Sequence, residues 1–464
     1  MFDKKKQPSV EPVGEAAHAS AVARLRASFD AIPAGRTVRL AKKTSNLFRP
    51  REKAKVGLDV SGLNGVISID TAARTADVQG MCTYENLVAA TLEHGLMPLV
   101  VPQLRTITLG GAVTGLGIES TSFKNGLPHE SVLEMDILTG TGELLTASPT
   151  NEHADLFRAF PNSYGSLGYA TRLRIELQPI GDLVETRNVR FPDVAAMSAA
   201  IESIVESGEW EGRRVDALDG MIVSKDEAYL VLADFFPETR RRPSDYTGQN
   251  IFYKSISDLD RDTLTAHDYI WRWDTDWFWC SDAFFAQNPT VRRVWPRKYR
   301  RSDFYHRIVG WENRWGFAAK IDEMRGELPR ERVVQDVEVP LEQLETFMPW
   351  FDEHVGMTPV WVCPLRLRGD AWPLYRLEPH RTYVNVGFWG TVAITPGRAD
   401  GDVNRDIEAV LPTMHGHKSL YSDVYYDAET FEKYYGADEY RRMKTKYDPQ
   451  GRLPEFADKV RTHA

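Results

Sequence analysis

The chain has few cysteines, no long apolar run and no excess of positive charge. Its 464 residues include three cysteines, and none of them forms a Cys-x-x-Cys pair. This spacing predicts no disulfide framework and suits a reducing compartment. No apolar run approaches the ~20 residues that cross a bilayer, and the N-terminal lysines are not followed by the apolar core of a signal peptide. We therefore expect a cytoplasmic protein, with any membrane contact being peripheral at the inner face.

The charge balance also excludes a class of partner. Lysine and arginine number 57 against 66 aspartates and glutamates, which gives a net charge of −9. A general nucleic-acid-binding protein needs a basic face that displaces counterions from phosphate, so we expect none here. No Gly-x-Gly-x-x-Gly sequence is present, and nothing predicts a metal site. The length and the 42% apolar content indicate a globular chain of two or more domains.

What the sequence does contain is a glycine-rich run between residues 100 and 132, with Gly110, Gly111, Gly115, Gly117 and Gly126. Each glycine costs a helix about 1 kcal/mol relative to alanine, so the run is a poor helix former. Without a Cβ, however, its backbone can lie close against a flat ligand. A plain turn between two strands is the alternative interpretation. We predict a ligand-facing wall from 109 to 118.

Short strands and helices surround this run. Alternating and helical apolar patterns predict one β-rich unit before and after it, and a second unit with longer elements further along the chain. The first unit has predicted strands at 36–41, 66–70, 75–79, 97–101, 131–138, 143–147 and 172–177, and helices at 84–94 and 155–160. The second has predicted strands at 333–339, 361–368 and 383–389, a hairpin at 220–233, and helices at 197–207 and 402–411.

The order of these elements resembles the FAD-binding domain of the vanillyl-alcohol oxidase / p-cresol methylhydroxylase (PCMH-type) superfamily. The shared motifs are PQLRTITLGGAVTGLGIES at 102–120, the Asp-x-Leu-Thr-Gly-x-Gly-Glu hairpin at 136–143 and the GSLG-x-Ala-Thr segment at 165–171. The loop GIESTSFKNGL at 117–127 and the tail at 415–436 are similar to the delta-24 sterol reductase (Diminuto-type) branch. The chain looks more similar still to bacterial flavoproteins that act with a cyclopropane-synthase-like methyltransferase and reduce a methylene branch of a fatty acyl chain.

The resemblance implies an α+β fold, with a two-subdomain PCMH-type FAD-binding domain and an antiparallel-sheet cap domain for the substrate. We place an N-terminal arm and helix at 1–37, the FAD domain at 38–182, the cap at 183–414 and a C-terminal return onto the FAD domain at 415–464. Within the cap, residues 236–306 are aromatic and basic and look like an insertion that covers the active site or meets lipid or another subunit. Its basic cluster at 292–301 is either a solvated face or a site for anionic headgroups or NADPH phosphates. The twelve tryptophans of the chain fit either core packing or an apolar tunnel.

The resemblance also indicates which residues hold FAD. Many relatives carry a histidine that bonds covalently to the flavin, but Ile118 occupies a slot where some place it, so we expect dissociable FAD. A pyrophosphate loop is expected at 42–49, with contacts from Thr44, Ser45, Asn46, Leu47 and Phe48. The second wall is expected to include Pro102, Gln103, Thr106, Gly110, Gly111, Thr114, Gly115, Gly117, Ile118, Glu119, Ser120, Ser122, Gly126 and Gly168. For Glu119, a structural salt bridge is an equal alternative.

Catalytic residues are sought near the C-terminus. His415-Gly416-His417-Lys418 resembles the His-Trp-x-Lys pattern of superfamily oxidases, which places Lys418 beside the flavin as the catalytic cation; a surface turn is the alternative. His417, Tyr421 and Glu119 are the candidate proton donors. The expected reaction is FAD-dependent reduction of a methylene-branched acyl chain by NADPH, which would visit the same cleft. The alternatives are a sterol side-chain reductase, an oxidase or dehydrogenase of a sugar or alcohol, and a non-catalytic partner of the methyltransferase.

Overall fold

The computed structural model describes residues 10–42, 48, 57–239, 241–315 and 327–461. Helices surround two antiparallel sheets, one formed by the first 180 residues and the other by most of the remainder. The predicted α+β class is therefore confirmed. Within these described ranges, no helix is both long enough and apolar enough to cross a bilayer.

The N-terminal region packs against the first sheet. Helix α1 (Gly14–Asp30) buries Ala21, Leu25 and Phe29. The predicted strand at 36–41 is wrong, because only Leu40 forms an isolated bridge, to Leu58. The neighbouring Val38 N–H donates instead to the carbonyl of Arg452 in the C-terminal loop, at 2.7 Å, so no strand partner continues the ladder.

The first sheet has six strands in the described residues, in the order β1-β2-β6-β4-β5, with β3 also pairing with β6. All its pairings are antiparallel. The strands are β1 (Val66–Asp70), β2 (Thr75–Gln79), β3 (Leu96–Pro98), β4 (Val132–Leu138), β5 (Leu144–Ala147) and β6 (Tyr169–Pro179). The accompanying helices are α2 (Tyr84–Leu92), α3 (Leu109–Thr114), α4 (Ser122–Asn125) and α5 (Ala154–Ala159).

Helix α3 shows that part of the glycine run is helical, although the sequence predicts a poor helix former. The Thr108 side chain accepts a hydrogen bond from the Gly111 N–H at 3.2 Å and caps the helix. The Gly110 N–H donates to the Gly80 carbonyl at 2.9 Å. A Cβ on Gly110 would lie 2.6 Å from that oxygen. Tertiary backbone contact therefore outweighs the low helix propensity of the sequence.

The second sheet has eight strands in the described residues, in the order β12-β7-β11-β10-β14-β15-β13-β16, again antiparallel throughout. Its strands are β7 (Leu183–Phe191), β10 (Ala217–Ser224), β11 (Glu227–Asp234), β12 (Arg261–Thr265), β13 (Arg330–Pro340), β14 (Val360–Leu365), β15 (Tyr383–Ala393) and β16 (His417–Lys418), while β8 (Glu209–Trp210) and β9 (Arg213–Arg214) form a separate hairpin.

The two faces of the second sheet have different neighbours. One face packs its alternate residues against α6 (Val194–Ser207), α11 (Leu344–His354) and α12 (Asp402–Val410). The residues between them, such as Trp361 and Cys363, belong to the core shared with the first sheet. This second face therefore meets the glycine run.

The segment 236–306 is only partly an insertion. Its Arg261–Thr265 forms β12, the edge strand beside β7, which the sequence did not predict because that stretch has a single apolar residue. The remainder carries α7 (Phe252–Asp258), α8 (Ala266–Ile270), α9 (Pro289–Val294) and the start of α10 (Ser302–Trp315). Trp271 and Trp273, which follow α8, are almost fully buried.

The C-terminal helices α13 (Ala428–Tyr434), α14 (Ala437–Tyr447) and α15 (Phe456–Val460) lie against the first sheet unit. The Lys444 ammonium donates to the Ser166 carbonyl at 3.1 Å. The Tyr447 hydroxyl donates to the Asp155 carboxylate at 2.7 Å. The two ends of the chain thus contribute to one unit.

Candidate active site

A cavity of about 990 Å³ lies between the two sheets. Both sheet units and the aromatic segment contribute to its lining. Residues predicted to contact FAD that line it are Phe48, Pro102, Gln103, Thr106, Gly110, Gly111, Thr114, Gly115, Gly117 and Ile118. Thr44, Ser45, Asn46 and Leu47 lie outside the described residues. The glycine run therefore forms one wall of an interior space.

The glycines of this wall have two different surroundings. A Cβ on Gly117 would lie 2.7 Å from Pro102 and 2.9 Å from Pro128, so this glycine permits close packing of the wall. Gly111 is exposed, and a Cβ there would meet only the Thr108 side chain within 4 Å, with the hydroxyl at 2.8 Å. Gly111 thus leaves a stretch of bare backbone on the cavity side, where a flat group could lie.

Aromatic side chains from the second sheet, the aromatic segment and Phe48 form another part of the lining. Phe278 lies 4.3 Å from Trp389 and 5.4 Å from Trp361 between ring centroids. Phe48 stacks on Trp277 at 5.7 Å. For the tryptophans, the sequence left core packing and an apolar tunnel as alternatives. Three of them, Trp277, Trp361 and Trp389, face the cavity. This part of the cavity suits a planar ring or an apolar chain.

Tyr421 and Asp336 form a polar group among these aromatic rings. Trp389 Nε1 donates to the Tyr421 hydroxyl at 2.9 Å, and that hydroxyl is hydrogen-bonded to the Asp336 carboxylate. Asn385 Nδ2 donates to the same carboxylate at 3.0 Å. Burial raises the pKa of Asp336 to about 6 and the pKa of Tyr421 well above its usual value. The pair can hold a proton at the cavity surface near neutral pH.

Sequence reasoning found Tyr421 but missed Asp336. The only available signal was an acidic residue inside the apolar strand pattern Val-Val-Gln-Asp-Val-Glu-Val at 333–339. That pattern places Asp336 and Glu338 on the same strand face. It does not reveal which face meets the cavity, because that depends on the pairing of distant strands.

Four cations from the two ends of the described chain also line the cavity. Arg39 and Lys42 precede the expected pyrophosphate loop, and Lys459 and Arg461 follow from α15. Guanidinium and ammonium groups are the side chains that bind phosphate. The C-terminal pair was missed because the predicted return onto the FAD domain did not indicate which of its residues reach the cavity. Lys459 Nζ lies 5.5 Å from the centroid of the Tyr169 ring.

Lys418 is not at the cavity, so its assignment as the catalytic cation is wrong. Its side chain is fully buried, and Nζ donates to Glu408 Oε1 and to the Asp423 carbonyl, each at 2.5 Å. Antiparallel pairing sets Lys418 opposite Val337, whose side chain packs against the helices. Burial lowers the pKa of Lys418, and the Glu408 carboxylate opposes that shift.

His417 also fails as a proton donor to the cavity. Its ring packs 5.1 Å from Tyr375 and 5.7 Å from Tyr435 and lines a separate surface depression. Burial lowers the pKa of His417 to about 4, so the imidazole is neutral at physiological pH. It is not among the cavity-lining residues in the described part of the chain.

Glu119 has a structural role, the alternative that the sequence analysis gave to a cofactor contact. Its carboxylate accepts from Gln103 Nε2 at 3.0 Å and from the Ser120 hydroxyl at 2.5 Å, and it lies 3.7 Å from Arg272. The Ser122 hydroxyl accepts from the Glu119 N–H at 3.1 Å. Glu119, Ser120 and Ser122 thus lie behind the wall and not on the cavity surface, contrary to their predicted role as cofactor contacts.

Gly126 and Gly168 are also behind the wall, contrary to prediction. Gly126 has φ +70° beside Glu130, and Gly168 has φ +147° beside Ile137. Both conformations are accessible to glycine and strained for other residues. These glycines shape the local backbone, and neither lines the cavity.

The residues present fit a flavin nucleotide. A wall without side chains, an aromatic slot and a set of cations are the three surroundings that such a group requires. They define the class of an FAD-dependent oxidoreductase. Residues 17–148 match the family described as an FAD binding domain, so the chain has the predicted PCMH-type fold and is an FAD-dependent oxidoreductase.

Comparison with known proteins extends over most of the chain. It is 24% identical over 418 residues to the human (Homo sapiens) Delta(24)-sterol reductase, covering 86% of this chain and 76% of the relative. The Arabidopsis thaliana Delta(24)-sterol reductase is 22% identical over 436 residues, with 84% and 74% covered. Cytokinin dehydrogenase 7 of Oryza sativa subsp. japonica is 35% identical over 134 residues, which cover 29% of this chain and 25% of the relative.

Proposed function

We propose that this flavoprotein reduces a lipid C=C bond, and specifically that it converts a methylene branch on a fatty acyl chain to a methyl branch with NADPH as reductant. The supporting comparison is with the Delta(24)-sterol reductases, which match both the FAD domain and the cap. The reaction consumes the alkene, NADPH and one proton and yields the saturated branch and NADP⁺. Sterol side-chain reduction is the nearest alternative substrate class.

The observation that carries the proposal is the Tyr421–Asp336 pair in the aromatic part of the cavity. Saturating a C=C bond requires a hydride on one carbon and a proton on the other. When bound, FAD supplies hydride-transfer chemistry. Tyr421 is the proposed proton donor, and Asp336, hydrogen-bonded to its hydroxyl, returns the proton. A phenol alone is a weak acid, so the partner with a pKa of about 6 is what makes the donor effective.

The rest of the lining agrees with an apolar substrate. Trp277, Phe278 and Trp361 offer an apolar surface for an acyl chain and exclude water from the proton donor. Arg39, Lys42, Lys459 and Arg461 would hold the diphosphate of the cofactor. A methylene branch arises by methyl transfer to an unsaturated chain, so the proposed partner is a methyltransferase that supplies the substrate.

The test separates the two halves of the reaction. Anaerobic protein with bound FAD is first mixed with NADPH, and bleaching of the flavin absorbance is followed; a methylene-branched phospholipid is then added, and mass spectrometry detects the gain of two hydrogens. In Tyr421→Phe and Asp336→Asn, we expect the NADPH step to persist and the alkene step to slow by about 10²- to 10⁴-fold. In the unaltered protein the alkene step should slow as the pH rises above about 6, and Asp336→Asn should remove that dependence.

Tyr425→Phe is the matched control, because its ring lies 4.6 Å from the Arg405 guanidinium and it does not line the cavity. Equal alkene rates in Tyr421→Phe and the control would reject Tyr421 as the donor. The similarity to cytokinin dehydrogenase 7 over 134 residues favours an oxidative reaction as the second candidate. Flavin bleaching by amines or alcohols but not by NADPH would replace the reductase proposal with that one.

A further inference from the structure

An exposed apolar and basic surface lies on the aromatic segment, away from the cavity lining. We call it the 285–299 patch; its apolar members are Phe285, Val294 and Tyr299, and its cations are Arg293, Arg297 and Lys298. Val294 is 78% exposed and Phe285 is 74% exposed, the highest values for large apolar side chains among the described residues. Clustered apolar side chains that are exposed to water are typical of a binding surface, so we expect the patch to contact another molecule.

The exposed side chains are held outward by half-buried neighbours that pack on the buried ring of Tyr305. Phe284 stacks on Tyr305 at 5.8 Å, and Trp295 lies 6.1 Å from the same ring. Phe285 follows Phe284 and Val294 precedes Trp295 in the chain. Both exposed side chains therefore project from the same small part of the surface. Phe285 also has φ +57°, a strained conformation for a bulky residue, and it fixes that side chain toward solvent.

The charge of the patch is opposite to that of the whole chain. Residues 283–302 contain six lysines and arginines and no acidic residue, in a chain of net charge −9. Arg292 pairs with Asp276 and Arg301 with Glu85, so these two serve the fold. Arg293, Arg297 and Lys298 are exposed, Arg297 with its guanidinium beside Asp245.

We propose that the 285–299 patch docks on the surface of an anionic lipid bilayer. Cations draw a protein to such a surface, and apolar side chains hold it there by entering the headgroup region. The patch combines both on the turn at Phe285 and the end of the short helix α9. A headgroup alone would be held by the cations and leave Phe285 and Val294 in water.

Docking would bring the cavity close to its lipid substrate. The same segment supplies Trp277 and Phe278 to the cavity wall, and Trp277 lies 6.2 Å from His306, the residue next to Tyr305. One aromatic cluster therefore connects the patch to the cavity. The binding itself does not depend on which reaction the cavity performs.

The test is co-sedimentation of the full chain with FAD on vesicles of phosphatidylcholine alone or with added phosphatidylglycerol. We expect binding only to the anionic vesicles, weakened by salt. Lys298→Glu should weaken it about thirtyfold and Phe285→Ser about tenfold or more. The controls Lys225→Glu and Leu133→Ser alter exposed residues on other surfaces and should bind as the unaltered protein does.

Four results would overturn the proposal: no binding to anionic vesicles, equal losses in the control variants, a dimer in solution that Phe285→Ser abolishes, or release of vesicle-bound protein by NADPH at low concentration. The last would assign the cations to a dinucleotide. A dimer abolished by Phe285→Ser would assign the patch to a second copy. Activity on detergent-dispersed substrate should be unchanged in Lys298→Glu. A failure of the docking proposal therefore does not contradict the reductase proposal, which the alkene assay tests separately.

Discussion

Lys418 and Tyr421 are close in sequence, yet their side chains reach opposite sides of the second sheet. Lys418 pairs with Glu408 on the helix-covered side, whereas Tyr421 meets Asp336 at the cavity. Antiparallel pairing with β13 sets Lys418, the last residue of β16, opposite Val337, whereas Tyr421 lies in the turn that follows the strand. The cation near the C-terminus therefore stabilises the core, and the phenol faces the ligand space.

This division predicts the behaviour of Lys418 variants. Lys418→Met leaves the Glu408 carboxylate buried without a countercharge, which should lower the free energy of unfolding by about 3–5 kcal/mol in urea titrations. Adding Glu408→Gln should restore most of the loss, because an amide oxygen can still accept from the Tyr425 N–H. Flavin reduction in the folded double variant should match the unaltered protein. A stable Lys418→Met protein with slow flavin reduction would return Lys418 to the active site.

At the scale of elements, helix α3 shows how adjacent glycines acquire different tasks. Gly110 faces the backbone of Gly80, and Gly111 faces the cavity. The short helix is fixed by its Thr108 cap and by this backbone approach. Gly110 thus permits the close backbone contact that the fold needs, and Gly111 leaves room for a ligand at the cavity wall.

Substitutions at the two positions should therefore fail in different ways. Gly110→Ala places a Cβ 2.6 Å from the Gly80 carbonyl, so we expect a loss of about 1–3 kcal/mol in the free energy of unfolding. Gly111→Leu places a Cβ 2.8 Å from the capping Thr108 hydroxyl, which must shift, but no backbone lies as close. The folded variant should not bind FAD, because the leucine side chain extends into the cavity. Thermal unfolding and FAD titration measure the two effects. Retained FAD binding by folded Gly111→Leu would remove this wall from the cofactor site.

Elements defined by nearby residues were predictable, and those defined by distant ones were not. The β4–β5 hairpin, α2 and the β10–β11 hairpin follow from local apolar patterns and turns. Helix α3 and strand β12 depend on tertiary partners, Gly80 and β7, that the local sequence does not show. The position of the glycine run was predictable from its lack of side chains. The Asp336 site was not, because it depends on strand register.

At the scale of the whole molecule, a buried network joins the parts that enclose the cavity. Arg272 of the aromatic segment donates to Asp219 of β10 at 2.9 Å and to the Ser120 hydroxyl at 3.3 Å. Glu119, beside it, holds Gln103 of the cavity wall. Trp361 of the cavity also donates to Asp219, at 3.1 Å. The shape of the cavity therefore depends on one guanidinium between two carboxylates.

Arg272→Met should disturb the fold and the cavity together. The side chain is fully buried, and its removal leaves Asp219 and Glu119 without a countercharge, at a cost of about 3–5 kcal/mol in the free energy of unfolding. FAD affinity should fall in the same variant, because Glu119, the partner of Gln103, loses the guanidinium beside it. Tryptophan emission should shift to the red, because Asp219, the partner of Trp361, loses the same guanidinium. Arg442→Met removes an exposed ion pair and should cost at most about 1 kcal/mol. If the two variants lose equal stability and bind FAD equally, the network does not hold the cavity together.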